Sequence, residues 1–371
     1  MIATRPRHTI ILLTIALSAT VCPAQNPRAD GRVVRTRAEV EALIQRMGTT
    51  PPEWWDSAGL TYPPTLDLNW PLRDAGEWDA GRNVGQYIWD VINPNPGRWK
   101  EGIKLVHHLM IRHKDDPDKL GRSMETLGHM FHNLMEDWAR AAFWWRESMQ
   151  YDVYVDPINL AHCYWKLGSR EMAEEVLSTI PDDYTRHGAL IKLWADMGEI
   201  DKALKLAERK AAGGMPTIAY LTAGDTCRLA GRYKEALAYY EKVLKAEVTA
   251  GREEDGKRDK ERARASIEAI KVFDTLDVAQ VPDGTFRASS IAYAGALHVE
   301  VVAKGGRIQS VHVTEHQEKQ FYSALSETPK RIIEKQGVRG VDAVTGATMT
   351  SEAIINATAK ALAGGMPKKS P

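Results

Sequence analysis

Between Asp342 and Ser351 the chain reads Asp-Ala-Val-Thr-Gly-Ala-Thr-Met-Thr-Ser and runs directly into an apolar stripe of Ile354, Ile355, Ala357, Ala361 and Leu362 at helical spacing. Thr345, Thr348, Thr350 and Ser351 crowd hydroxyls into one turn, and Gly346 lets another group approach the backbone closely. A helix starting here offers unpaired N–H groups and the positive end of its dipole, both of which favour a phosphate. Thr350 or Ser351 would cap that helix. Many strand–turn–helix junctions share these features, so the loop by itself suggests a phosphate ligand without naming one.

Other chemistry-bearing residues carry less. His107, His108, His113, His129 and His132 lie close together. Only His129 and His132 have the i, i+3 spacing that puts two ligands on one helix face, and no carboxylate completes a metal motif. They read as helix-surface or inter-helix packing, and no metal is expected. Cys163 and Cys227 sit in apolar helical patterns, with no Cys-x-x-Cys pair and no haem-attachment motif. They read as small buried residues. His298, His312 and His316 fall on or near predicted strands and read as solvated. No residue presents itself as a catalytic group.

The elements that would position the loop begin at Gly284, where the hydrophobic period changes from helical toward alternating. Strands are predicted at Thr285–Ala292, Ala296–Ala303 and Arg307–Thr314, with Lys304-Gly305-Gly306 turning the last two into a hairpin. A helix is expected over 318–325. A second, short one would start at Thr328-Pro329 and end at Gly337.

Upstream, residues 89–273 are helical and repetitive. The clearest unit, Ala219 to Leu244, carries Gly224, Gly231, Tyr233, Ala236, Leu237, Tyr240 and Leu244. Ala141, Ala173, Ala203 and Ala236 recur at intervals of 32, 30 and 33 residues, near the length of about 34 that helix-hairpin repeats use. Gly168, Gly198 and Gly231 each stand five residues before the last three alanines, where a left-handed cap would end the first helix of a pair. Four such units are enough to bury a continuous core. The tryptophans, all before residue 195, read as its filling. Residues 252–262 mix both charge signs and read as a solvated face. Ile267, Ile270, Val272 and Phe273 predict a helix closing the array. Residues 25–88 form a Pro/Trp-rich segment, irregular after a short amphipathic helix. Trp54, Trp55, Tyr62 and Trp70 would pin it to the helices. Residues 274–283 read as a linker and 366–371 as a tail.

Two resemblances sharpen this picture. The repeat pattern resembles the tetratricopeptide repeat, with Trp138 and Tyr233 at an expected aromatic position and Arg170 and Ile200 departing from it. Asp342-Ala343-Val344-Thr345-Gly346-Ala347-Thr348 resembles the flavinylation motif of FMN-binding domains, as in the C subunit of sodium-translocating NADH:quinone reductase and the Rnf G subunit. The Gly305-Gly306-Arg307-Ile308 turn and Ala353-Ile354-Ile355-Asn356-Ala357 resemble that family too, over the last fifth of the chain. The implied fold is multidomain: an all-α tetratricopeptide-like solenoid (89–273) followed by a small α+β FMN-binding domain (284–365).

The second resemblance implies FMN joined by a phosphoester to Thr348. A flavin transferase would install it, taking FMN from FAD with magnesium. Asp342 would help present the loop, and Thr345, Gly346, Ala347, Thr350 and Ser351 would shape the phosphate site. The repeats would dock a redox partner. The alternative is an envelope scaffold with an accessory or sensory FMN domain. A weaker one is a flavin reductase with its own substrate.

Composition bounds the setting. Of 371 residues, 43% are hydrophobic and 26% charged, with Lys+Arg and Asp+Glu equal at 49 each. That gives no basic field for nucleic acid. Residues 1–24 read as an export signal: Arg5 and Arg7, the apolar run Thr9–Val21, then Cys22-Pro23-Ala24 before a cut at Gln25. An uncleaved anchor or lipidation at Cys22 are the competing readings. The expected location is the periplasm or cell envelope. Membrane association would come only through a partner or an uncleaved signal.

Overall fold

The computed structural model describes residues 33–63, 66, 83–181, 187–293, 295–344 and 346–366. The expected export signal, the tail after Met366, Trp70 and Thr345 lie outside them. Among the described residues no helix is long and apolar enough to cross a membrane.

Helices α1 (Arg37–Thr49), α2 (Val84–Tyr87) and α3 (Trp99–Arg112) precede the repeats. In α1, Val40 and Ile44 are buried, and Thr36 with Glu39 forms a reciprocal capping box. Trp54 and Trp55 pack on the helical body, and Trp55 meets His107 edge-on at 4.8 Å. The pinning role expected of these aromatics is thus visible.

Four helix pairs follow: α4 (Pro117–Asn133) with α5 (Trp138–Met149), α6 (Pro157–Lys166) with α7 (Arg170–Ser178), α8 (His187–Asp196) with α9 (Ile200–Ala212), and α10 (Pro216–Leu229) with α11 (Tyr233–Lys245). The aligned alanines Ala141, Ala173, Ala203 and Ala236 fall on the second helix of each pair and are fully buried. Gly168, Gly198 and Gly231 take φ of +97°, +85° and +71°, so only glycine ends these first helices without strain. The first and last pairs share a lock. A Cβ on Gly128 would stand 2.3 Å from Trp145, and one on Gly224 would stand 2.5 Å from Tyr240. Both rings are fully buried. The missing side chain is what admits the ring between the helices.

Helix α12 (Glu253–Phe273) carries the mixed-charge run. Instead of closing the array against solvent, it is an internal wall. Ile267, Ile270 and Phe273 are buried in a core that also takes in the C-terminal sheet and helix. The connection after it is anchored there as well, through Val278 and Val281.

The C-terminal sheet has order β1 (Gly284–Ile291), β2 (Ala296–Lys304), β3 (Arg307–Glu315), antiparallel throughout. In β2, Leu297, Val299, Val301 and Ala303 point inward, the alternation that a half-buried strand requires. Gly305 and Gly306 have φ of +59° and +69°, as a two-residue type I′ hairpin demands. Helix α13 (Ser323–Lys335) packs on β3, and α14 (Thr348–Gly365) packs on β1, β2 and α12.

Two expectations here need correction. The predicted helix over 318–325 and the short one starting at Thr328-Pro329 are a single helix, α13, running through Pro329. Proline removes one backbone bond, while burial of Ala324, Thr328, Pro329 and Ile332 holds the helix together across it. The left-handed residue at its end is Gln336, at φ +53°, rather than Gly337. Its side-chain amide pairs with the backbone of Ile308 in both directions, at 2.9 and 3.0 Å. Those two bonds offset the Cβ strain of that conformation.

Candidate functional site

Thr348 is the first residue of α14. Its helix begins after Ala347, and no side chain caps it, so the expected cap from Thr350 or Ser351 does not form. Their hydroxyls hold the loop from behind. Ser351 Oγ is fully buried. It accepts the N–H of Val344 at 3.0 Å and lies 3.1 Å from the Thr328 hydroxyl. Thr350 Oγ1 donates to Glu318 Oε2 at 3.0 Å, and Glu318 Oε1 accepts the N–H of Tyr293 at 3.1 Å. Arg331 clamps the loop's entry, donating to the carbonyls of Asp342 and Ala343 at 3.0 and 3.3 Å. Asp342 itself is exposed and Ala347 is buried. Gly346 turns at φ +89°.

Thr348 Oγ1 is buried and has no hydrogen-bond partner among the described residues. A buried hydroxyl without a partner costs roughly 1–3 kcal/mol, which an added phosphate ester would relieve. The residue lines a cavity of about 330 Å³ bounded by the loop and by α6, α8 and α10, with Ile158, His162, Lys192, Leu193, Thr222 and Phe321 among its walls. That is near the lower end of the ~300–1,000 Å³ that small-molecule sites occupy. The residues present therefore fit a phosphate-bearing ligand at Thr348.

The repeats reach the loop through histidines. A Cβ on Gly346 would stand 3.4 Å from both His162 Cε1 and Phe321 Cε1. His162 Nδ1 lies 2.9 Å from His132 Nε2, and His132 Nδ1 lies 2.6 Å from Asn133 Oδ1. Burial pushes His132 down to about 4 and His162 well below its ordinary value, so both rings are neutral at neutral pH. Phe321 lies edge-on to His132 at 5.5 Å. Its N–H donates to Asn133 O at 2.7 Å. Tyr322 meets Trp99 at 5.1 Å, and Lys319 pairs with Asp90 at 3.1 Å. The segment before α13 is thus seated on the first repeat and on the helices that precede it.

A second buried polar cluster lies one turn further along α14. Arg262 is 3.4 Å from Asp225 and 3.9 Å from Glu352. Tyr240 donates to Asp225 at 2.8 Å, and Arg228 donates to Asn356 at 2.8 Å. Burial, and then the neighbouring Asp225, push the Glu352 carboxyl up to about 8.

Residues 292–363 match the family model of the FMN-binding domain. Residues 218–247, which hold most of α10 and all of α11, match that of the tetratricopeptide repeat. The chain thus joins a flavin-binding domain to helical repeats. No curated protein and no solved structure matches it.

Of the seven residues expected at the site, Gly346, Ala347, Thr348 and Thr350 line the cavity. Ser351 lies behind it, Asp342 borders a neighbouring hollow, and Thr345 is outside the described residues. His298, His312 and His316 are not among the lining residues. The sequence did not single out His162, Phe321, Glu318 or Asp225. The only signal for His162 and Asp225 was a histidine or an aspartate inside a run otherwise poor in charge: Leu160-Ala161-His162-Cys163-Tyr164 and Ala223-Gly224-Asp225-Thr226-Cys227.

Proposed function

We propose that the protein is an exported electron carrier of the periplasm or cell envelope, with FMN held through a phosphoester to Thr348. The observation that carries this reading is the Thr348 hydroxyl: buried, unpartnered and facing a ligand-sized cavity at a helix start. The bond would be made by a flavin transferase. Thr348 Oγ bonds to the FMN phosphorus of FAD, the phosphoanhydride P–O bond breaks, AMP leaves with its electron pair, and the hydroxyl proton is taken up on the transferase side. No base in this chain is required. Exposed Asp342 stands where the transferase or its metal would meet the loop. Because Thr348 Oγ1 is covered in the docked arrangement, attachment would precede docking of the repeats or use a transient opening.

The bound flavin supplies one- and two-electron transfer. The tether keeps it from being lost outside the cytoplasm. This chain's residues orient it and exclude water. A redox partner would dock on repeat surfaces away from the site. A groove of about 480 Å³ between α7 and α9, with Leu177, Ile180 and Trp194 among its walls, supports that role.

The test is co-expression with a flavin transferase, followed by denaturing electrophoresis under ultraviolet light. The wild-type band should fluoresce, and Thr348→Ala should lose all of that signal. A dark wild-type band would sink the covalent reading.

A further inference from the structure

The repeat domain contributes an unsatisfied polar atom to the same cavity. His162 is 8% exposed, and its Nε2 has no hydrogen-bond partner among the described residues. The direction of the chain behind it is fixed. Asn133 Oδ1 only accepts, so the close His132 Nδ1 carries the proton. In a neutral imidazole the other nitrogen then accepts. His132 Nε2 accordingly accepts a hydrogen bond from the Nδ1–H of His162. That leaves His162 Nε2 as a bare lone pair. The ring edge that bears it lies against Gly346, two residues from Thr348.

We infer that the helical repeats build half of the flavin site, with His162 Nε2 accepting a hydrogen bond from an N–H or O–H of the FMN carried on Thr348. The assignment rests on Thr348 being the attachment point. The two unpartnered atoms are then both satisfied by one ligand, its phosphate end at the start of α14 and a donor group at His162. Burial keeps the His132–His162 pair uncharged, so the acceptor persists across the neutral range. Phe321, lying edge-on to His132, holds the pair in place from the C-terminal side. His162 is a positioning and tuning residue here and takes no part in forming the phosphoester.

The full-length flavinylated protein tests this with His162→Phe, which keeps a ring and removes the acceptor, and His162→Gln, which keeps an acceptor. Denaturing-gel fluorescence reports attachment, and the visible absorption bands and flavin midpoint potential of the native protein report the contact. The spectra and midpoints are compared at matched flavin loading, taken from the gel fluorescence. The bands and midpoint should shift in His162→Phe, with most of that shift recovered in His162→Gln. The wild-type spectrum and midpoint in His162→Phe at matched loading overturn the inference and leave the Thr348 reading standing. A dark wild-type band removes the Thr348 reading itself. Should His162→Phe fail to fold, the wild type answers by nitrogen-15 spectroscopy. The Nε2 resonance of His162 should start in the unprotonated range and move on loading. A resonance that is unmoved between the apo and flavinylated protein overturns the contact.

Discussion

Among the described residues, the two large hydrophobic cores are built and charged differently. The first runs from α1 through α9 and is rich in aromatic rings, with Trp145 and Phe131 sealed inside and Trp54, Trp55 and Trp138 against it. The second joins α10–α12 to the sheet and α14 and is mostly aliphatic, around Leu297, Ile308, Ile354 and Leu362. The first holds His107, His132 and His162 neutral by burial. The second holds Glu352 in its protonated form. The stretch 274–283, expected from the sequence as a linker, therefore contributes Val278 and Val281 to a core shared by repeats and sheet. The seam between the cores lies instead near the last repeat, and the Thr348 cavity opens on that seam.

The shared second core can be broken most strongly at Ile354, which is fully buried. Ile354→Ala should cost about 2–5 kcal/mol. Hydrogen exchange should show α10–α12 losing protection together with the sheet while α4–α6 keep theirs. Unchanged protection in α10–α12 would mean the two parts are independent.

The opposite charge states predict opposite pH responses. The histidines' folded values lie below 6.5, with His107 and His132 near 4. The stability they contribute is complete above pH 6.5 and is lost as pH falls through that range. Glu352 is raised from 4.5 to about 8. Its contribution is complete below about 4.5 and declines as pH rises toward about 8. Each group changes stability by at most roughly 1.4 kcal/mol per pH unit. In thermal melts across pH, Glu352→Gln should flatten the alkaline decline and leave the acid one. His107→Phe, remote from the cavity, should reduce the acid decline only. Matching profiles for wild type and Glu352→Gln would contradict this.

A smaller effect concerns access across the seam. Phe321→Ala removes the ring that lies against His132, so the docked repeats should open more often. Attachment of FMN to the folded protein should then run several-fold faster in a timed transferase assay. An unchanged rate would mean the covered hydroxyl is reached without opening. The smallest effect is expected at Gln336. Gln336→Gly relieves left-handed strain but loses three side-chain hydrogen bonds, two to Ile308 and one to the Ile333 carbonyl, so urea midpoints should report a net loss of about 1 kcal/mol.

Periodic features were legible in the sequence. The alanines at repeat spacing, the glycines at φ > 0, the alternation in β2 and the Gly305-Gly306 turn each encode local geometry in residue type. The hydroxyl loop was legible as a group but not in its division of labour. Only tertiary contacts decide that Ser351 bonds Val344, that Thr350 bonds Glu318, and that Thr348 has no partner. The repeat-side wall was invisible for the same reason. His162 and Gly346 are brought together by docking, and neither carries a local pattern announcing the other. Pro329 misled through a local rule that burial of α13 overrides.

The central claim is that Thr348 is the loop hydroxyl that takes the cofactor. It is tested most directly by mass mapping of peptides from protein co-expressed with a flavin transferase. The account predicts an FMN-sized increment on the peptide holding Thr348, with fragmentation placing it on that residue and no increment in Thr348→Ala. An increment on Thr345, Thr350 or Ser351, or an increment that persists in Thr348→Ala, would contradict it.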